Sequence, residues 1–253
     1  MGLGVDNPFV VFAVALAAQW SAAYLGSLAR NRRRRLSSDD QHDFDTVQVA
    51  SLTLLALLIG FSFSMAVTRY DQRKTLEEAE ANAIGTEYVR ADLLPAGDAE
   101  RVRQLLRQYL DQRIAFYEAR DASDIDRINA DTAKLQNELW AVVQHAAGGQ
   151  PTPVLALTVA GMNDVLNSQG YTQAAWWNRI PAAAWTLMGL IAVFCNLLVG
   201  YGERRKGATL LVVLPVIVSV AFLLVADIDS PRGGVIRVLP QNLLAAARSI
   251  AAH

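Results

Sequence analysis

The chain has 253 residues, 53% hydrophobic and 19% charged, with a formal net charge of −1. Its one cysteine, Cys195, excludes an internal disulfide and a cysteine-based metal site. The length admits one or two domains, and the charge is spread so unevenly that the composition has to be read by region.

In chain order, the first element is an apolar segment from Pro8 to Ala29, diluted by Gln19. It approaches the roughly 20 residues that cross a bilayer as a helix. No basic n-region precedes it, so it is expected not to be a cleaved signal peptide. MGLGVD also lacks the Ser or Thr that a myristoylation signal carries at position six. A basic run follows, RNRRRR, from Arg30 to Arg35. The second span is Val47 to Val67, diluted by Gln48. It runs into GFSFSMAVTRYDQRK with no breaker at the join. From Val47 to Leu94 the only glycines are Gly60 and Gly85, and the first proline is Pro95. The reading is one helix of about 47 residues, or about 70 Å. That is about twice the bilayer thickness, so its second half is expected to stand outside the membrane and pack on other helices.

Residues 69–180 carry most of the charge outside the loops and show helical periodicity. Val102, Leu105, Leu106, Tyr109, Leu110, Arg113, Ile114 and Tyr117 follow i, i+3, i+4, i+7 spacing. Asp98 reads as the N-cap of that helix. A second helix starts near Ser123 or Asp124 and ends at Gly148-Gly149, and a third runs from about Val154 to Asn167. The third span is Pro181 to Tyr201, interrupted by Asn196 and followed by Arg204, Arg205 and Lys206. The fourth, Ala208 to Ala226, has no polar face and contains Pro215. Bundled membrane helices tolerate such interruptions. Cys195 reads as a small buried or lipid-facing hydrophobe. Asn196 is expected to bond to a neighbouring helix rather than face lipid.

The expected fold is an all-α integral membrane protein with four transmembrane helices. Residues 1–68 hold the first two and a basic loop (30–45). Residues 69–180 form a helical extramembrane domain, 181–226 hold the last two spans, and 227–253 are a C-terminal segment. Both basic clusters lie in short loops on one side, so the positive-inside rule places them in the cytoplasm. Residues 69–180 then face the exterior or periplasm of a bacterial inner membrane, with the cytoplasmic orientation as the alternative. The arginine run is compatible with anionic lipid. No basic face with interleaved aromatics accompanies it, so no nucleic-acid partner is expected.

GFSFSMAVTRYDQRK, EANAIGTEYVRADLLP (Glu80 to Pro95), RQYLDQR (Arg107 to Arg113) and DIDSPRGG (Asp227 to Gly234) together resemble the bacterial bestrophin-like domain family. The resemblance covers most of the chain from about residue 45. Through it the chain is distantly similar to the bestrophins, pentameric anion channels whose second span lines the pore. The resemblance implies a homo-oligomer, a pentamer, and inorganic anions as the passing species. It also makes the second span the pore helix. Animal bestrophins bind calcium through an acidic cluster after the last span. Only Asp227 and Asp229 follow Ala226 here, so no calcium site, other metal or cofactor is expected.

Leu55, Ile59, Phe63 and Val67 recur every four residues as a stripe. It reads either as a pore lining that gates by dewetting or as ordinary helix packing. Arg69, Tyr70 and Arg73 stand at the mouth of that span, as interfacial anchors or as an anion-attracting vestibule. Glu77, four residues after Arg73, could neutralise it locally. Glu80 and Asn82 read as buried polar groups that fix packing between helices, with gating as the sharper role. Asp227, Asp229 and Arg232 read either as a carboxylate–arginine set fixing the turn after span four or as an ion-coordinating or gating group. No phosphate-binding loop, nucleophile elbow or metalloprotease motif is present, and His42, His145 and His253 are scattered. No catalytic residue is assigned and the chain does not read as an enzyme. The leading function is an oligomeric, passive anion channel. The rival is a membrane-anchored interaction or sensor module whose helical domain binds a partner or ligand without conduction.

Overall fold

A computed structural model describes residues 7–31, 38–149, 152–202 and 209–252. The arginines at 32–35 and the basic residues at 204–206 lie outside the described residues. The described chain is helical and contains no strand. Its elements are α1 (Pro8–Asn31), α2 (Ser38–Arg90), a 3-10 turn (Ala91–Leu93), α3 (Ala96–Glu118), α4 (Ala122–Gly149), α5 (Pro153–Trp177), α6 (Ala182–Gly202), α7 (Thr209–Asp229) and α8 (Gln241–Ala251). Four helices, α1, α2, α6 and α7, are long and apolar enough to cross a membrane. The protein is a multi-pass, all-α membrane protein.

Boundaries differ from the sequence reading where local bonds extend a helix. α2 has 53 residues and starts at Ser38, inside the stretch assigned to a loop. Gln41 donates to Asp45 one turn on, at 2.8 Å, and this kind of pair supports a polar helix start. At 1.5 Å per residue α2 is about 80 Å long. α3 starts two residues before Asp98, because the Ala99 amide already donates to the Pro95 carbonyl at 2.8 Å. Asp98 is therefore a first-turn residue and not the cap. α5 starts at Pro153, with the Thr152 hydroxyl accepting from the Leu155 amide at 3.2 Å. It continues ten residues past Asn167 to Trp177, since nothing between them breaks it.

The chain divides into two compact units. The first comprises residues up to Tyr70 and Arg179–Arg237; the second comprises Asp71–Asn178 and Val238 onward.

In the first unit, α1 packs on α6 and α7. Leu55 of α2 is buried with Met188, Ala192 and Cys195 of α6 and Val218 and Phe222 of α7. Lipid offers no hydrophobic drive between spans, so close packing and interhelical hydrogen bonds must hold them together. Both are present. Asn196 donates to the Gln19 amide oxygen at 3.0 Å and to the Ala192 carbonyl at 2.8 Å. Gln19 in turn donates to the Ser219 hydroxyl at 3.3 Å, tying α1, α6 and α7 with polar groups that are all buried. Beside this chain α1 and α6 touch backbone to backbone. A Cβ on Gly26 would land on the Leu197 carbonyl, and one on Gly200 would land on the Ala23 carbonyl.

In the second unit α3 packs on α4 and α8, and α4 packs on α5. The face of α3 picked out by periodicity is buried: Val102, Leu105, Leu106, Tyr109 and Leu110 are all under 3% exposed. Leu139, Val143, Met162 and Val165 supply buried apolar groups from α4 and α5.

Gly200→Ala is expected to destabilise the detergent-solubilised protein by about 1–3 kcal/mol, because the new methyl must separate α1 from α6. Gly85→Ala, where a Cβ meets nothing within 4 Å, is expected to leave the melting temperature unchanged or raise it. Thermal unfolding of the two variants side by side measures the contrast.

Candidate functional site

Beyond the membrane-like stretch, α2 buries a charged face. Arg73, Glu77, Glu80, Ile84, Glu87 and Ala91 are spaced four, three, four, three and four residues apart, and every one is buried. This is the 3.6-residue period of one helix face, written mostly in charge. Each charged group on it has its own setting.

Glu80 and Arg113 form the centre. Arg113 Nε donates to Glu80 Oε1 at 2.5 Å, and both side chains are 0% exposed. The other carboxylate oxygen accepts from the Thr172 hydroxyl at 3.2 Å and from the Tyr117 hydroxyl at 3.4 Å. The Arg113 guanidinium stands 4.5 Å over the Phe116 ring. Phe116 and Tyr117 both pack on Trp176, at 5.0 and 5.4 Å between ring centres. Burial alone would pull the Arg113 pKa down, but the Glu80 carboxylate, with Tyr109 and Tyr117, holds it above its ordinary value. Burial pushes the Tyr109 and Tyr117 hydroxyls well up, so both stay neutral.

On the N-terminal side of this pair the charges serve helix ends. Arg73 donates to the carbonyls of Ala175 and Asn178, at 3.3 and 3.4 Å, where the end of α5 has acceptors without helical partners. Glu77 accepts from the backbone amides of Asn242 and Leu243, both at 2.9 Å, and from the Asn242 side chain at 2.6 Å. α8 has Pro240 at its N-cap and no side-chain cap of its own, so a carboxylate from α2 supplies it. Glu87 is buried with neither oxygen hydrogen-bonded among the described residues.

In the first unit a second cluster closes the end of α7. Asp227 accepts from the amides of Val235 and Ile236 at 2.7 and 2.8 Å. Asp229 accepts from the Ile180 amide at 3.1 and 3.2 Å, and Arg69 lies 3.8 Å from it. Both carboxylates thus satisfy backbone donors where the chain leaves the membrane-like region, a place where an unpaired amide is costly.

The residues singled out in the sequence fall in different settings. Leu55 is 2% exposed and belongs to the bundle interior, whereas Phe63 is 39% exposed. Ile59 and Val67 are half-buried, each at the edge of a packed cluster. A four-residue step over-rotates by about 40° on a helix of 3.6 residues per turn, so the stripe turns from the interior at Leu55 to the surface by Phe63. The residues at the mouth of this span are engaged within the chain. Arg69 sits by Asp229, Arg73 is 2% exposed and bonded to the end of α5, and Tyr70 packs against Ala66, Ile180, Val225 and Ile228. Glu77 serves α8. Asn82 is exposed, not buried, because two residues on from Glu80 a helix has turned by about 200°. Arg232 is half-buried in the turn, where the bonds described above fix the chain through carboxylate-to-amide contacts. The sequence reading missed Glu87 and the partners of Glu77. The signal available for both was the 3.6-residue spacing of the charges themselves.

A family model described as the bestrophin-like domain matches residues 11–243. Among solved structures, two variants or crystal forms of a bacterial bestrophin homologue from Klebsiella pneumoniae share the fold. One has a TM-score of 0.64 at 14% identity, covering 100% of this chain and 97% of that one. The other has a TM-score of 0.60 at 15% identity, covering 96% and 95%. A structure described only as a membrane protein is equally similar, with a TM-score of 0.64 at 15% identity over 95% of this chain and 96% of its own. No curated protein matches the chain.

Removing one partner of a buried pair leaves the other charge uncompensated. Glu80→Ala or Arg113→Ala is expected to cost about 3–5 kcal/mol of stability, while replacing both, as Glu80→Gln with Arg113→Met, is expected to cost less than the sum. A double-mutant cycle by thermal or denaturant unfolding measures the difference.

Proposed function

Because this chain belongs to the bestrophin-like domain family, we propose that it assembles as a homo-oligomeric ring, a pentamer, that passively conducts chloride-type anions along α2. The family and fold support a bestrophin-type channel at the family level and speak for a channel rather than an enzyme.

The observation that carries the pore assignment is how little of α2 its own chain covers. In the most apolar 18-residue window of α2, 17% of residues are buried, against 22%, 28% and 44% in the other three spans. Leu57, Phe61 and Phe63 project from it at 52%, 60% and 39% exposure. A ring of copies would turn one side of this uncovered stretch to the axis and cover the other. Phe63, flanked by the half-buried Ile59 and Val67, is then the apolar constriction, a lining that gates by dewetting. Leu55 is left out because it is spent on packing. Anion attraction is not assigned to Arg69 or Arg73, whose guanidinium groups are engaged by Asp229 and by the end of α5.

The same reading puts residues 69–180 outside a bacterial inner membrane, on the strength of the two arginine-rich loops. Arg30 donates to the Tyr201 carbonyl at 2.8 Å, so the ends of α1 and α6 that lead into those loops lie together, as a shared side requires.

Purified protein is expected to run as a ring of identical copies in detergent and to pass halide from loaded liposomes. A monomer or dimer, or no flux above empty liposomes over several pH and ion conditions, defeats the proposal. Phe63→Ala is expected to change halide flux, whereas Leu55→Ala is expected to lower stability by about 2–5 kcal/mol. Orientation has a separate test. A cysteine placed at Arg127, which is 68% exposed, should react with an impermeant maleimide on intact spheroplasts, with buried Cys195 giving little background. Labelling only after permeabilisation would reverse the topology.

A further inference from the structure

Glu87 is the one charged residue on the inward face of α2 for which the helix ends and ion pairs above leave no use. It is 0% exposed, and neither carboxylate oxygen has a hydrogen-bond partner among the described residues. It is pressed against α5 at Gly161. A Cβ there would fall on Glu87 Oε2 and on Arg90 Nη1, so no side chain separates α5 from the carboxyl. Two long hydrogen bonds close the same contact. Arg90 Nη1 donates to the Leu157 carbonyl at 3.5 Å, and the Thr158 hydroxyl donates to the Arg90 carbonyl at 3.5 Å.

We propose that Glu87 is a proton-binding site that latches α5 onto α2: protonated, it lets the two helices close dry over Gly161, and ionised, it loosens them. A neutral carboxyl tolerates this dry contact, whereas an ionised one without donors does not. On losing its proton, the carboxylate draws water and attracts the Arg90 guanidinium three residues on. Arg90 then leaves the Leu157 carbonyl, and the contact at Gly161 loses one of its two hydrogen bonds between α5 and α2.

The surrounding charges fit. Burial lifts the Glu87 carboxyl from its ordinary 4.5 to about 8, with Arg90 pulling it down and Asp164 of α5 adding to the rise. From α3, Arg103 and Arg107 lie over the ring of the adjacent Tyr88, and Arg103 also pairs with Asp92 of the 3-10 turn. The group is raised in the latched form and ordinary once opened. Opening therefore becomes easier as pH climbs from the ordinary value to about 8, and levels off above it. This holds whether or not the protein conducts ions.

The test is amide hydrogen exchange of residues 153–165 in the full-length protein, corrected for intrinsic exchange, across pH 5 to 9. Wild-type protection should fall by up to about tenfold per pH unit between pH 5 and 8, then flatten. Glu87→Gln and Glu87→Met, which fill the site without a titratable group, should both lose that slope. Wild-type protection that does not vary with pH, or a slope that persists in both variants, would overturn the proposal.

Discussion

The second unit rests on one costly arrangement: a salt bridge between Glu80 and Arg113, held out of water. Desolvating two charges costs several kcal/mol each unless geometry and additional hydrogen bonds return it. Here Thr172 and Tyr117 occupy the second carboxylate oxygen, and the Phe116 ring faces the guanidinium. The pair joins α2 to α3, and Thr172 brings α5 to the same carboxylate. Three helices are therefore fixed in register by one residue, with tyrosines that burial keeps neutral beside it.

The rest of that face follows the same rule. Where α2 meets the end of α5 it offers a cation, and where it meets the start of α8 it offers an anion, each sign matching the helix dipole it faces. A single helix thus caps two others. An apolar face would have packed as well, but it could not have satisfied those backbone groups or distinguished one helix end from another. The first unit meets the equivalent demand with Asp227 and Asp229, and within the apolar bundle with the Gln19, Asn196 and Ser219 chain. The two units solve one problem, backbone and side-chain polarity away from water, with different residue types. The second unit uses charge; the first, in an apolar setting, uses amides and hydroxyls inside the bundle and keeps carboxylates for its edge.

α2 is left largely uncovered by its own chain in its apolar stretch while its polar stretch is heavily engaged. A helix with that distribution is suited to carry copies of the chain on one segment and to be held firmly on the other. The arginines that a reading of the span alone would place at an open mouth are occupied in holding structure.

The spans, the all-helical class and the long unbroken α2 were legible from composition and from the absence of proline between Val47 and Leu94, because hydropathy and helix breakers act locally. The buried face of α3 was legible too, since 3.6-residue periodicity is a property of the sequence itself, and Arg113 stood in it before its partner was known. What a charge does is not local. Glu77, Glu80, Asn82 and Glu87 differ little as letters in a polar stretch, yet one caps a helix 165 residues away, one pairs with an arginine, one is exposed and one is buried without a donor among the described residues. Which part of the Leu55-to-Val67 stripe meets the bundle interior is equally invisible in sequence, because an apolar side chain suits a bundle interior, a lipid face or a pore alike. Hydropathy and periodicity along the chain settle which segments are helices and which can enter a membrane. The partner of each buried charge is settled by folding, because desolvation and hydrogen bonding depend on neighbours that lie far apart in the chain.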